Sequence, residues 1–90
     1  MTDSEIFAGV QGVFADLFGL PREAVTPETS QPALAEWDSL QHLNVILALE
    51  ETFALGFSPE DMEGMTSVAA ITAVIRSKQA GNVLAGVDTL

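Results

Sequence analysis

Ninety residues with a hydrophobic fraction of 48% make one domain with enough apolar material for a core, which sets disorder aside. A net charge of −10, with no Lys or Arg from Glu23 through Ile75, argues against nucleic acid and anionic membrane; it favours basic protein partners, or else is an ordinary solvated acidic surface. With no cysteine, no apolar run near the ~18 residues of a membrane span and no signal-peptide pattern, the expectation is a soluble, cytoplasmic, disulfide-free protein held by helix packing.

In chain order, the first predicted element is a helix over about Ser4 to Phe18. Ile6, Phe7, Val10, Val13, Phe14, Leu17 and Phe18 share one stripe at 3.6-residue spacing, and Gly19 followed by Pro21 ends it. Residues 19–37 carry Pro21, Pro27 and Pro32 without any period and read as a long connection, pinned to the core by Val25 and Leu34. A second helix starts after Asp38, with Asp38 as N-cap and Gln41 at N3 in the pattern of a capping box, and closes at Phe53 with Gly56 just beyond. Ser58-Pro59-Glu60-Asp61 opens a third helix of a turn or two before Gly64. Thr66 or Ser67 caps a last helix with a Val68, Ile71, Val74, Ile75 stripe, and Arg76 and Lys78 stand where they complement its C-terminal dipole. Gly81, Asn82 and Gly86 mark residues 80–90 as a flexible tail on a domain of residues 1–79.

The second helix carries more apolar surface than a packing element needs. At ~100° per residue its apolar positions form two arcs. Val45, Ile46, Leu49 and Phe53 face the core. Leu40, Leu43 and Leu47, flanked by Ser39, Asn44, Glu50 and Glu51, are either covered by the loop and last helix or left open to a partner; the charged rim favours the second. Ser39 itself is either a residue that simply suits a helix start or a hydroxyl left unengaged, since Asp38 already supplies the cap. In the latter case it stands where backbone N–H groups stabilise an added phosphate. Trp37 either anchors the loop or staples over His42 across the helix start. His42, three residues after Ser39, suggests a nucleophile–base pair, but no strand–turn–helix elbow surrounds Ser39 and a solvated or partly packed imidazole fits better. Met62 and Met65 are expected at the core or its edge. One His without Cys gives no common zinc pattern, and no loop has calcium-binding spacing.

Asp38-Ser39-Leu40, the run from Leu43 to Phe53, Phe57-Ser58-Pro59-Glu60-Asp61 and Thr66-Ser67-Val68 together resemble an acyl carrier protein over roughly Ile6 to Ile75. The resemblance implies an all-α four-helix bundle with a long first loop and a short third helix. It implies a carrier, not an enzyme, with a 4′-phosphopantetheine arm from coenzyme A on Ser39, between Asp38 and Leu40, put there by a phosphopantetheinyl transferase. That arm would hold acyl intermediates of a fatty-acid, polyketide or specialised pathway as thioesters, supplying the thiol that a cysteine-free chain lacks. Leu40, Leu43, Leu47, Glu50 and Glu51 would meet acyl-activating, condensing or acyl-transfer enzymes through basic docking surfaces, the carrier itself being a monomer. Glu36-Trp37 before Asp38 departs from the commonest form, and the resulting Trp-Asp-Ser-Leu motif resembles stand-alone carriers of specialised pathways; the uncharged Gln41, His42 and Asn44 also depart from it and argue against recognition by housekeeping fatty-acid synthesis enzymes. A peptidyl or aminoacyl carrier is the nearest alternative. An unmodified acidic adaptor using the same leucines follows, and a Ser39 hydrolase is the weakest.

Overall fold

In the computed structural model, which describes the backbone of residues 2–88 and the side chains of residues 2–79, four α-helices follow one another: α1 (Asp3–Phe18), α2 (Ser39–Phe53), α3 (Pro59–Gly64) and α4 (Val68–Asp88). Among the described residues there is no strand, only an isolated antiparallel bridge between Ser30 and Ser67. The expected all-α bundle, with its long first loop and short third helix, is the fold observed.

Local chemistry explains where each helix starts and stops. Thr2 and Glu5 form a reciprocal capping box at α1, and Ser58 with Asp61 forms another at α3, where Pro59 occupies the first helical position. Gly19 ends α1 in the left-handed region at φ 65°, a conformation that costs a residue without Cβ almost nothing. At α2 the helix closes at Phe53, as the sequence leads one to expect, and the left-handed residue that follows is Ala54 at φ 54°, ahead of Gly56. The Leu55 N–H reaches back to the Glu50 carbonyl at 3.1 Å, and the Ala54 N–H bonds the same carbonyl. That turn satisfies the helix end before Gly56 is reached, at the expense of a Cβ in a crowded conformation.

The core joins one face from each long helix. Ile6, Val10, Val13 and Phe14 of α1, Val45, Ile46, Leu49 and Phe53 of α2, and Val68, Ile71 and Ile75 of α4 are buried together with Val25, Trp37, Phe57 and Met65. Phe7, Leu17, Phe18, Leu34, Met62 and Val74 pack around it half-buried. Gly9 is what lets α2 approach α1 here: a Cβ at that position would stand 2.6 Å from the Phe53 ring.

The long loop is tied at both ends. A 3-10 turn at Arg22–Ala24 lies along α1: Gln11 Nε2 donates to the Val25 carbonyl at 2.9 Å, and Arg22 Nη2 donates to the Ala8 carbonyl at 2.8 Å. Farther on, the loop caps α4. The Val68 and Ala69 N–H groups, orphaned as first-turn donors, are accepted by the Thr29 and Pro27 carbonyls at 2.8 and 3.0 Å, and Ser67 Oγ accepts the Ala70 N–H. Ser67 rather than Thr66 is therefore the cap.

One expectation at the C-terminal side is corrected. The described backbone is helical through Asp88. Gly81 and Gly86 each weaken a helix by only about 1 kcal/mol and no proline follows, so nothing local forces a stop. Arg76 and Lys78 consequently lie in mid-helix and not in a final turn. They act through specific partners, Arg76 on Asp3 at 3.1 Å and Lys78 on Asp61 at 2.7 Å, tying α4 to α1 and to α3.

Candidate functional site

The candidate site residues singled out in the sequence fall on α2 or on Asp38, its N-cap. Its first turn is set by Asp38, whose extended backbone breaks from the loop and whose Oδ1 accepts the Gln41 N–H at 2.9 Å. Only half of the expected capping box forms. The Gln41 amide does not reach back to Asp38 but accepts from Asn44 Nδ2 at 3.1 Å on the outer surface. With Asp38 occupied as cap, Ser39 follows as the first helical residue, exposed, with no hydrogen bond to its hydroxyl among the described residues. The Ser39 and Leu40 N–H groups likewise have no acceptor within the described chain. An unengaged hydroxyl thus lies beside two free amides at the positive end of a helix of 15 residues.

The second apolar arc is open. Leu40, Leu43 and Leu47 are 68%, 54% and 62% exposed, and they are the large exposed hydrophobic residues of the described chain. Of the two readings of this arc, covering by the loop and last helix is excluded. The acids at its far end divide. Glu51 is exposed, whereas Glu50 is half-buried and its Oε2 accepts the Phe57 N–H at 3.0 Å, holding the turn between α2 and α3. Glu50 therefore already has a structural task, a fact its position on a helical wheel does not reveal.

The structure brings Trp37 and His42 together more closely than either reading of Trp37 required. Trp37 is 2% exposed and wedged edge-on against Phe14, so it does anchor the loop. Its indole Nε1 also donates to His42 Nδ1 at 2.9 Å, with the two rings 5.7 Å apart. The other imidazole nitrogen, Nε2, lies 2.8 Å from the Met62 carbonyl on α3. An indole nitrogen only donates and a carbonyl only accepts, so the partners fix the ring as neutral with its hydrogen on Nε2. His42 is thus half-buried and fully bonded, and neither nitrogen is directed to Ser39. A nucleophile–base pair is not formed.

On α3, the Lys78 ammonium beside Asp61, helped by the Ser58 backbone N–H, holds that carboxyl below the usual carboxylate range. Glu5 is lowered in the same way by the Thr2 backbone N–H and hydroxyl that it caps. Both shifts belong to helix caps and ion pairs, away from Ser39. No helix of the described residues is long and apolar enough to cross a membrane.

Comparison with known proteins fits this arrangement. Residues 8–75 match a family described as the phosphopantetheine attachment site. An acyl carrier protein of Thermosynechococcus vestitus is 34% identical over 80 residues, covering 89% of this chain and 99% of the relative. An acyl carrier protein of Rubrobacter xylanophilus is 37% identical over 68 residues, or 76% and 84% of the two chains. A meromycolate extension acyl carrier protein of Mycobacterium tuberculosis is 26% identical over 82 residues, covering 91% of this chain and 71% of the relative.

Proposed function

The chain belongs to the acyl carrier protein family of phosphopantetheine-attachment domains, and from that premise we propose that Ser39 is the residue that receives the arm. Membership makes the protein a carrier and not a catalyst, with 4′-phosphopantetheine as its prosthetic group and with phosphopantetheinyl transferase and acyl-handling enzymes as its partners. The group supplies the thiol for thioester formation, which no residue of this cysteine-free chain offers.

The observation that carries the assignment is the exposed, unbonded Ser39 hydroxyl at the first position of α2. A phosphodiester there would sit at the helix end that favours negative charge, with the Ser39 and Leu40 amides as donors and Asp38 keeping the first turn wound. On this reading the carrier unit is residues 1–79, working as a monomer in the cytoplasm. Leu40, Leu43 and Leu47 form the strip that acyl-activating, condensing or acyl-transfer enzymes grip. Glu51, and the oxygen of Glu50 that Phe57 leaves free, steer basic docking surfaces toward it. Rim charges of this kind speed encounter more than they tighten the complex, which suits a carrier that must leave each enzyme.

The test is a loading reaction. The protein is incubated with coenzyme A, Mg²⁺ and a broad-specificity phosphopantetheinyl transferase, and its intact mass is measured. The expected outcome is a gain of one arm in the parent and none in Ser39→Ala. An unmodified parent would turn the assignment toward an adaptor that uses the leucine strip alone.

A further inference from the structure

The Trp37–His42–Met62 chain of hydrogen bonds has no part in holding an arm, and it joins three elements through one titratable ring. Trp37 ends the long loop immediately before Asp38 and Ser39, His42 lies one turn into α2, and Met62 belongs to α3. We propose that His42 is a proton-sensitive joint: the neutral ring couples the loop end and α3 to the Ser39 end of α2, and the charged ring uncouples them.

The argument is one of donors and acceptors. Protonation adds a hydrogen to Nδ1, the atom that now accepts the Trp37 indole N–H at 2.9 Å, so two donors would face each other with no acceptor between them. Trp37 cannot give way. Its ring is buried and packed edge-on against Phe14 at 4.9 Å between centroids. The half-buried imidazole is the partner free to turn toward solvent. Because both nitrogens belong to one rigid ring, turning Nδ1 away from the indole also draws Nε2 off the Met62 carbonyl. One proton therefore breaks two links.

Few other ties hold α3 to α2. The short helix packs on α4, where Asp61 meets Lys78, and the Glu50 bond to Phe57 holds the turn before it, not the helix itself. The charged groups on the elements around the joint are Glu36 and Asp38 beside Trp37, Glu50 and Glu51 farther along α2, Glu60, Asp61 and Glu63 on α3, Arg76 and Lys78 on α4, and Asp3, Glu5 and Asp16 on α1, with Asp61 and Lys78 occupied by each other, Arg76 by Asp3 and Glu50 by the Phe57 N–H. On the α1 side the neighbour is Phe14, with no charged group bonded to either ring. None of the acids bonds the imidazole, so none offers the new Nδ1 hydrogen an acceptor in place.

The chain holds one Trp and one His, which makes the test clean. Nuclear magnetic resonance of the full-length protein follows the His42 ring, the Trp37 indole N–H and the amide-exchange protection of α3 across about pH 8 to 5, the interval in which imidazoles titrate. The indole resonance is expected to move with the same midpoint as the ring. Protection of the α3 amides, corrected for intrinsic exchange, is expected to fall about tenfold through that midpoint, the scale of one lost hydrogen bond. His42→Gln, whose amide can accept and donate without titrating, is expected to keep α3 protected throughout. An indole signal indifferent to the charging of His42, α3 protection that holds as the ring titrates, or the same loss of protection in His42→Gln would each overturn the joint.

Discussion

The two faces of α2 are made of the same kind of residue and meet opposite fates. Val45, Ile46, Leu49 and Phe53 are buried, while Leu40, Leu43 and Leu47 on the same helix stand more than half exposed. Hydrophobicity does not separate them, because leucine occurs on both sides. What separates them is angle: α1 occupies one side of the helix, with Gly9 letting Phe53 in close, and no element of the described chain covers the other. The inner face supplies stability and, on the function proposed above, the outer face is kept for other molecules, so substitutions on the two should report in different assays.

The sharpest way to break that contrast is to truncate one leucine from each face. Leu49→Ala removes a fully buried side chain and should cost about 2–5 kcal/mol in urea unfolding. Leu47→Ala should change stability by about 0.5 kcal/mol or less, while slowing transfer to partner enzymes. A large stability loss at Leu47 would mean the outer face packs on something. Next in size, Glu51→Lys should slow delivery a few-fold at low salt, with the difference shrinking as salt rises, and leave the helical circular-dichroism signal intact. Equal delivery by the variant would remove the steering role of that acid.

At the C-terminal end of α2, Ala54→Gly should raise stability by about 1 kcal/mol at most, since glycine adopts the left-handed turn that alanine resists. A drop in the unfolding midpoint would show that chain entropy outweighs that relief. The smallest effect concerns α3. The Asp61 carboxyl is lowered by Lys78 and the Ser58 N–H, so its contribution is complete above the ordinary Asp range, about pH 4, and disappears as pH falls through the lowered value. Asp61→Asn should therefore flatten the acid limb of the stability profile slightly, and an unchanged acid limb would argue that the ion pair is too exposed to matter.

Much of this was legible because it depends on neighbours in sequence. Asp38 and Ser58 announce helix starts, Thr66-Ser67 announces a third without saying which residue caps, Gly19 marks a helix stop, and the two arcs of α2 follow from helical spacing. The unread parts depend on what lies across space. Nothing near Gln41 in the chain says that its amide will turn to Asn44 and leave the capping box half-made. The meeting of His42 with Met62 spans 20 residues and that of Arg76 with Asp3 spans 73, and neither has a local signature. Glu50 looked like a free docking acid because a helical wheel shows its direction but not the Phe57 N–H that folds back on it. Ala54 took the left-handed turn because the helix end is satisfied at the earliest residue that can close it, whatever its propensity. The candidate Ser39 needed only local reasoning, since its availability follows from Asp38 taking the cap.

The uncovered leucine strip has a consequence for how this protein behaves in a crowd. A greasy ridge left open to solvent is one that a second copy of the chain could grip, and at high protein concentration such copies meet often. The net charge of −10 works against such pairing, since like-charged molecules repel before their ridges touch. Added salt shortens the reach of that repulsion and leaves the ridge as sticky as before, so ionic strength sets how close these molecules crowd without clumping.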